Sequence, residues 1–512
     1  MKHFMSMHRK KTVVLSTAAL TLLISACSGG SQPTSSPSAS PSSSPSPSAS
    51  NGAQVEEKPV LRQLMPYGRF EADKEPVAIF LEEQTGYKVE YEMLPAEQPD
   101  EKLNLLMANK EPYDFMKIGR NQFAKLVTSG ALEPLNDLLD QYGHNLRAAI
   151  AEESWQAATI DGKIYAIPET GGGITIGTSL VVRKDWMDEL NLEIPTNTAE
   201  LKEVLRELKA KKNVIPLTMM GSLESVYPEI AGTFGLTTDW VEQDGQLVHS
   251  VETDAAKNYL AYMAELYSEG LVDSELGINT SAKAIEKFTS GQAAMYRLAW
   301  WDAEAVVEAL KKNFPEAEIA IIPYLKNDQG EINLAGSAGA NFYTVIPSFA
   351  KNKEHAMQYL DMKLQEDIFK GLAIGMEGEH FEFKDDKYYP LNPKFNDEWN
   401  NASSFMTGVD ERVYPTYWQA RVRKNIHVQT YFETYQENAG DNIHTDPLAF
   451  APPIENVSKN VQKLKQLKDD NFINFISNVK PLSEYDSFIR EWKAQGGEEM
   501  TTAANEWYTA NK

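Results

Sequence analysis

The chain has 512 residues, of which 49 are basic and 73 are acidic, so its net charge at pH 7 is −24. A surface this acidic argues against nucleic acid and anionic lipid as partners. The single cysteine excludes an internal disulfide and any metal site built from several thiolates.

The first 26 residues have the pattern of an export signal. Basic residues are followed by a mostly apolar stretch over 12–26, which is too short to span a bilayer. It ends in LISAC at 23–27, which resembles a bacterial lipobox. We therefore expect a lipoprotein signal peptide over 1–26 and a lipid on Cys27; a secretory signal with an incidental cysteine is the alternative. Removal of 1–26 leaves 45 basic and 73 acidic residues, a net charge of −28.

Residues 28–51 consist almost entirely of Ser, Pro, Gly and Ala. This composition offers nothing to bury, and its repeated prolines keep the chain extended. We interpret 27–59 as the lipidated cysteine and a tether that holds a folded body just outside the membrane. A tail without a role would have the same composition.

The folded body begins with alternating strand and helix patterns. Strands are predicted over 60–66, 87–94 and 113–118, and helices over 73–85 and 100–109. Gly86 suits the C-terminal end of the first helix. This β-α-β-α-β order predicts a parallel sheet with right-handed crossovers.

The alternation continues through the middle of the chain. Further strands are predicted over 164–168, 179–183, 214–219, 318–323 and 341–347, and helices over 184–191, 198–211, 255–270 and 282–290. The last third is predicted to be mostly helical, and Gly496-Gly497 ends a helix over 483–493. The body is long enough for two or more domains, so the pattern predicts a large α/β protein with more than one lobe.

Short motifs follow one another along this body. They are DGKIYAIP at 161–168, LVVRKDW at 180–186, IPTNT at 194–198, LYSEGLVD at 266–273, FTSGQAAM at 288–295, GMEG at 375–378 and PLSEYD at 481–486. In this order they resemble the family 1 extracellular solute-binding proteins, the maltose-binding-like receptors of ABC importers. The last two motifs are similar to the large Gram-positive lipoproteins of that family.

The resemblance implies an α/β, two-lobe periplasmic-binding-protein-like fold with a hinge and a central ligand cleft. The chain would cross between the lobes near 172–180 and 339–345. Lobe one would hold 60–175 and 345–400, and lobe two 176–344 and 401–512. The implied receptor delivers its solute to the permease subunits of an ABC importer by cleft closure. It would act as a monomer without a cofactor, anchored by lipid at the outer face of the cell membrane.

A carbohydrate ligand needs flat aromatic surfaces and a few polar partners. The chain has 9 Trp, 22 Tyr and 20 Phe, so we predict an oligosaccharide, with peptides and other polar solutes as alternatives. Trp300 and Trp301, after the AAM strand, are the first candidates to stack on it. Tyr417 and Trp418 form a second aromatic cluster, for which packing within a lobe is the alternative.

The other predicted ligand contacts lie near strand ends, motifs or crossings. They are Tyr67, Asp114, Glu169, Arg297, Ser337 and Glu377. Glu169 is followed by Thr170 and three glycines, which permit close approach of a ligand or rotation of a hinge. No Lys-Ser/Thr follows these glycines, so the loop is not a P-loop. Arg297 would suit an acidic sugar or serve as a structural cation.

Enzymes are the main alternative class. The HExxH and GxSxG motifs are absent from the sequence. A polysaccharide-active enzyme would need only two facing carboxylates, and a lipoprotein that serves a sensor would have the same lobes. Some large relatives carry a calcium loop before an IPL strand. The corresponding residues 209–217, KAKKNVIPL, contain no carboxylate, so we predict no metal there.

Overall fold

The computed structural model describes residues 58–221, 225–440 and 443–512. The predicted signal peptide, Cys27 and nearly all of the tether lie outside these ranges. Within them, no helix combines the length and the apolar character that crossing a bilayer would require.

The described strands are mostly short and rich in β-branched, aromatic and other apolar residues. In chain order they are β1 (Leu61–Met65), β2 (Val89–Met93), β3 (Phe115–Gly119), β4 (Thr159–Ile160), β5 (Lys163–Ile164), β6 (Ile167–Thr170), β7 (Thr178–Arg183), β8 (Ile215–Thr218), β9 (Trp240–Gln243), β10 (Gln246–His249), β11 (Ala293–Ala299), β12 (Ile319–Ile321), β13 (Leu334–Ala335), β14 (Ala340–Val345), β15 (Phe381–Lys384), β16 (Lys387–Pro390) and β17 (Ile443–His444). The strand predicted over 164–168 is divided between β5 and β6. Ile164 pairs with Thr159 in a hairpin, whereas Ile167 pairs with Thr344 in a larger sheet.

The helices begin and end where local sequence signals place them. In chain order they are α1 (Pro76–Thr85), α2 (Pro99–Ala108), α3 (Arg120–Thr128), α4 (Asn136–Tyr142), α5 (His144–Ala149), α6 (Glu152–Gln156), α7 (Lys184–Leu190), α8 (Thr198–Lys212), α9 (Pro228–Ala231), α10 (Asp254–Ser268), α11 (Ser281–Thr289), α12 (Ala303–Asn313), α13 (Lys353–Met362), α14 (Glu366–Ile374), α15 (Lys394–Trp399), α16 (Tyr414–Val422), α17 (Ile426–Ala439), α18 (Glu455–Ile476), α19 (Tyr485–Trp492) and α20 (Glu498–Asn511). Pro76 suits the first position of α1, and Gly86 ends it in the left-handed conformation (φ 65°). Gly496 (φ 116°) separates α19 from α20.

The first large sheet has the strand order β2-β1-β3-β14-β6. β1 pairs in parallel with β2 and with β3, which confirms the parallel sheet predicted from the first five elements. β14 pairs antiparallel with both β3 and β6. We call this sheet and the helices packed on it lobe one.

The second large sheet has the strand order β12-β7-β11-β8. β11 pairs antiparallel with β7 and in parallel with β8, and its residues are almost all buried. Helices α8, α10 and α18 contribute to one core on this sheet, and α11, α12 and α17 contribute to another. We call this sheet and its helices lobe two, so the described structure has the predicted α/β class and two sheet-based lobes.

Two segments pack differently from the predicted lobe assignment. Residues 340–344 were predicted for lobe two. They form most of β14, which lies between β3 and β6 in the lobe one sheet. Residues 402–420, predicted for lobe two, contribute Phe405, Tyr414 and Ala420 to the lobe one core. After β14, the chain returns to lobe two at 423–425, between α16 and α17.

Candidate functional site

The segments that connect the lobes lie side by side. Residues 171–177 lead from β6 to β7, and residues 336–339 lead from β13 back to β14. An isolated antiparallel bridge joins Thr175 to Ser337. The segments meet beside α16, and the candidate functional site lies at this junction.

A cavity of about 360 Å³ lies at the junction. It is lined by Ser154, Thr170, Gly171, Gly172, Gly173, Ile174, Thr175, Ser337, Ala338, Gly339, Asn341, Glu411, Pro415, Trp418 and Phe450. We call it the hinge cavity. Its lining combines backbone from both crossing segments with aromatic rings and a few polar side chains.

The glycines of the first crossing allow a close approach between this segment and α16. A Cβ atom on Gly172 would lie 2.5 Å from Cγ of Trp418, and Gly173 has a positive φ of 95°. Both positions therefore favour glycine. The partner that approaches Gly172 in this structure is the Trp418 ring, which forms one side of the hinge cavity.

Three tryptophans from the two predicted aromatic clusters come together next to the junction. β11 ends at Ala299, and Trp300 and Trp301 lie in a short 3-10 turn. The Trp300 ring lies 5.2 Å from Trp301 and 5.6 Å from Trp418, with nearly perpendicular planes in both pairs. Trp300 also packs against Phe432. Trp301 remains 55 % exposed, whereas Trp300 and Trp418 are half-buried, so Trp301 offers the most ring surface to a ligand.

A second cavity of about 640 Å³ shares Trp418 with the hinge cavity. It is lined by Trp300, Trp301, Glu304, Asn396, Asn400, Trp418, Arg421, Val422, Lys424, Asn425 and Val428. We call it the tryptophan cavity. Its side chains come from both lobes and from the crossing at 423–425, so a ligand bound there would contact both lobes.

Glu411 is the carboxylate in the lining of the hinge cavity. Its two oxygens accept hydrogen bonds from the Thr170 hydroxyl (2.9 Å) and from the Ala151 backbone N–H (3.0 Å). These bonds fix the carboxylate and tie the end of β6 to the loop before α16. Ser337 and Asn341 also line this cavity and are exposed, so they are free to meet a ligand.

Glu169 faces the lobe one core and not the cavity that follows it in sequence. It is 7 % exposed, and its carboxylate accepts a hydrogen bond of 2.8 Å from Lys117, which also donates to the Met406 carbonyl. Burial raises the pKa of Glu169 although Lys117 opposes the shift. Successive residues of a strand point to opposite faces, so Thr170 reaches the cavity whereas Glu169 does not.

The side chains of Asp114 and Tyr417 are also buried and contact other protein groups. Asp114 is 4 % exposed and accepts hydrogen bonds from the Arg62 backbone N–H (2.9 Å) and the Asn352 amide (3.1 Å). Tyr417 is 8 % exposed and packs on Phe369 in the lobe one core, which was the alternative for this cluster. Burial leaves little of either side chain for a ligand to touch.

The remaining predicted residues are separated from the two cavities. Arg297, predicted as a ligand contact, pairs with Glu229 (3.0 Å) and donates to the Thr178 hydroxyl, as in the alternative of a structural cation. Tyr67 and Glu377 are exposed, but neither is part of the lining of the hinge cavity or the tryptophan cavity.

Several lining residues were missed by the sequence analysis. They are Glu304, Asn396, Asn400, Glu411, Pro415, Lys424 and Asn425. Most lie on α15 and α16 or on the short crossing to α17. The run YWQARVRKN at 417–425 mixes aromatic, cationic and amide residues, and this composition was the available signal. In the described part of the chain, no group of three or more His, Cys, Asp or Glu side chains is arranged to hold a metal.

Residues 67–367 match the family model of the bacterial extracellular solute-binding proteins. An uncharacterized protein from Niallia circulans is 54% identical over 250 residues, covering 49% of this chain and 98% of that protein. The polygalacturonan/rhamnogalacturonan-binding protein of Bacillus subtilis strain 168 is 23% identical over 372 residues, covering 67% of this chain and 69% of that protein.

The fold has a similar counterpart among solved structures. An extracellular solute-binding protein from Bifidobacterium longum subsp. infantis matches with a TM-score of 0.70 at 17% identity, covering 88% of this chain and 98% of that chain. The family resemblance predicted from the motifs is confirmed by the family match over more than half of the sequence. The chain belongs to the bacterial extracellular solute-binding proteins.

Proposed function

We propose that this protein is a receptor that binds an oligosaccharide between its lobes and delivers it to an ABC importer. The observation that carries the proposal is the grouping of Trp301 and Trp418 with amide side chains at the junction of the lobes. Sugar rings offer apolar faces to aromatic side chains and hydroxyls to amides. The polygalacturonan-binding relative supports a carbohydrate ligand.

Closure of the lobes around the ligand is the proposed mechanism. Trp301 belongs to lobe two and Trp418 to lobe one, so one bound oligosaccharide would contact both. A ligand that touches both lobes favours the arrangement in which they approach each other. The paired crossings at Thr175 and Ser337 are the proposed hinge.

A location at the outer face of the membrane is supported by the sequence of the N-terminal segment. The lipobox-like LISAC motif offers Cys27 for lipid attachment, and the Ser/Pro-rich stretch after it suits a tether. A monomeric receptor held in this way would stay close to the permease subunits while its lobes remain free to move.

We propose binding without catalysis. A glycosidase needs two carboxyl groups on either side of the same sugar linkage. The carboxylates in the lining are Glu411 in the hinge cavity and Glu304 in the tryptophan cavity, so each cavity has one. Both oxygens of Glu411 are already engaged by protein donors. This arrangement supports a binding role.

A thermal-shift screen of the mature protein against neutral and acidic oligosaccharides, amino acids and peptides tests the proposal. A ligand at about 100 times its Kd adds roughly 2.7 kcal/mol of stability, so it raises the Tm measurably. We expect an oligosaccharide to do so and to be recovered intact. Trp301→Ala should weaken its binding about tenfold or more, which corresponds to about 1.4 kcal/mol.

Phe383→Ala is the matched control, because Phe383 is 49 % exposed on the β15–β16 hairpin and lines neither cavity. It should bind the ligand like the unchanged protein. A response to peptides alone would overturn the ligand class, and recovery of a cleaved sugar would overturn the non-catalytic role.

A further inference from the structure

The tryptophan cavity contains two cationic side chains that have no carboxylate within ion-pair distance among the described residues. Arg421 and Lys424 both line it. In the ranges that the structure describes, neither takes part in an ion pair with a carboxylate.

Neutral oxygens hold the two cations in place. Arg421 donates to the backbone carbonyls of Trp399 (3.1 Å) and Asn400, and the Lys424 ammonium donates to Oδ1 of Asn400 (3.1 Å). The two carbonyls lie at the C-terminal end of α15, where the helix dipole favours a cation. These contacts position the side chains but leave their positive charge available to an anion.

The surroundings make these charges costly without such an anion. Burial lowers the pKa of Arg421. Burial and the neighbouring Arg421 charge lower the pKa of Lys424, and the charge of Glu304 opposes this shift. Glu304 is the one carboxylate among the residues that line this cavity, and it is exposed to solvent. A ligand carboxylate placed between Arg421 and Lys424 would pair with both charges, and it would offset the desolvation cost chiefly at Arg421, which is half-buried while Lys424 is exposed.

The rest of the lining suits a sugar ring. Trp301 is 55 % exposed, and Trp418 forms the adjacent wall. The Asn396 amide offers a donor and an acceptor for hydroxyl groups, and Asn425, whose Oδ1 accepts hydrogen bonds from the backbone of α17, offers its amide N–H donors. Flat rings, amides and two cations within one cavity match a sugar that carries a carboxylate.

We infer that the tryptophan cavity binds a uronic acid residue of an acidic oligosaccharide. Arg421 and Lys424 attract its carboxylate while Trp301 and Trp418 contact the ring. The inference rests on the proposed function, since it specifies the class of oligosaccharide that the receptor takes. Lys424 is the specificity-determining residue in this assignment, because it is exposed and adds a charge without supporting the fold through several bonds.

Isothermal titration calorimetry on the mature protein tests the assignment. The probes are the trisaccharides of galacturonate, mannuronate and guluronate, each compared with its methyl ester, together with neutral malto-, xylo- and fructo-oligosaccharides. Esterification removes the charge and keeps the sugar. We expect at least one acid to bind about tenfold tighter than its ester, and this ratio should fall as salt is raised from about 0.05 to 0.5 M.

Lys424→Gln should weaken binding of the preferred acid about tenfold and leave binding of its ester unchanged. Lys424→Arg should retain most of the preference. Lys312→Gln is the control, since Lys312 is an exposed lysine in the last turn of α12, outside the cavity lining. It removes the same charge from the same protein and should change neither affinity.

The outcomes separate this inference from the proposed function. Equal affinity for acid and ester, or tighter binding of a neutral sugar that depends on Trp301, would overturn the acidic ligand and leave the oligosaccharide receptor standing. A preferred acid that binds Lys424→Gln unchanged would overturn the assigned position of the carboxylate. Failure of every sugar to bind would overturn both.

Discussion

Asp446 is a half-buried carboxyl close to the contact between the lobes. Its oxygens accept hydrogen bonds from the backbone N–H groups of Leu448 (2.8 Å) and Trp240 (3.1 Å). Burial nevertheless raises its pKa from 3.8 to about 6, and the charge of Asp239 acts in the same direction. Ionisation of Asp446 therefore costs stability. The cost is absent below about pH 4 and grows as the pH rises to about 6.

Asp446→Asn is expected to remove this pH dependence. The amide keeps one acceptor oxygen, and the hydrogen bond it loses is lost at every pH. We therefore compare the free energy of unfolding of the variant with that of the unchanged protein. The difference between them should change by about 1–3 kcal/mol in favour of the variant when the pH is raised from about 4 to about 7. Urea unfolding at both pH values measures the shift. Asp328→Asn, in an exposed loop, serves as the charge control, and a constant difference between Asp446→Asn and the unchanged protein would contradict the argument.

At single residues, the sequence identified the right residue types more reliably than the direction in which their side chains point. Glu169 lies within β6 and Asp114 directly before β3, and both are buried among protein partners. The face that such a carboxylate takes depends on the pairing register with strands far away in sequence. The place of Trp301 and Trp418 in a cavity lining was predictable, because large aromatic rings at a strand end and on a helix suit a ligand surface. The place of Lys424 in the same lining was not predictable, since the residues around it come together only in the tertiary fold.

At the scale of the element, the crossing segment 171–177 is shaped by its contact with α16. We expect Gly172→Ala to displace the Trp418 ring, because its Cβ would lie 2.5 Å from Cγ of that ring. Overpacking of this kind costs about 1–3 kcal/mol of stability. The displaced ring should also weaken ligand binding. Thermal unfolding and titration calorimetry measure the two effects.

The neighbouring glycine provides the control for this variant. In Gly171→Ala the nearest atom to the new Cβ would be Nδ2 of Asn341 at 3.4 Å, close to ordinary contact. Gly171→Ala should therefore keep nearly full stability and affinity. If the two alanine variants behave alike, flexibility of the crossing and not the Trp418 contact is what the glycines supply.

The elements themselves were largely predictable, and their assignment to lobes was less so. Hydrophobic periodicity and the glycine after α1 located the first strands and helices within a few residues. Residues 402–420 were assigned to the wrong side of the cleft, because their contacts with lobe one involve residues distant in sequence. A helical pattern shows which face of a helix is buried and not which core receives it.

At the scale of the whole molecule, Arg120 forms a direct link between the lobes. It begins α3 in lobe one, and its guanidinium donates to the backbone carbonyl of Ala451 (2.7 Å) in the lobe two core. The neighbouring Phe450 lines the hinge cavity. Hydrogen bonds from a charged group contribute about 1.5–3 kcal/mol. This contact therefore favours the arrangement of the lobes in which it is made.

Arg120→Gln should shift the lobes away from that arrangement, since the shorter amide does not reach Ala451. Small-angle scattering of the ligand-free variant should show a larger radius of gyration. Ligand affinity should fall about five- to tenfold, chiefly through faster dissociation, because closure then has to be restored by the ligand alone. Lys125→Gln is the control: Lys125 lies on the same helix and pairs with Asp100 within lobe one. An Arg120→Gln variant with unchanged scattering and unchanged dissociation would show that the crossings alone determine how the lobes close.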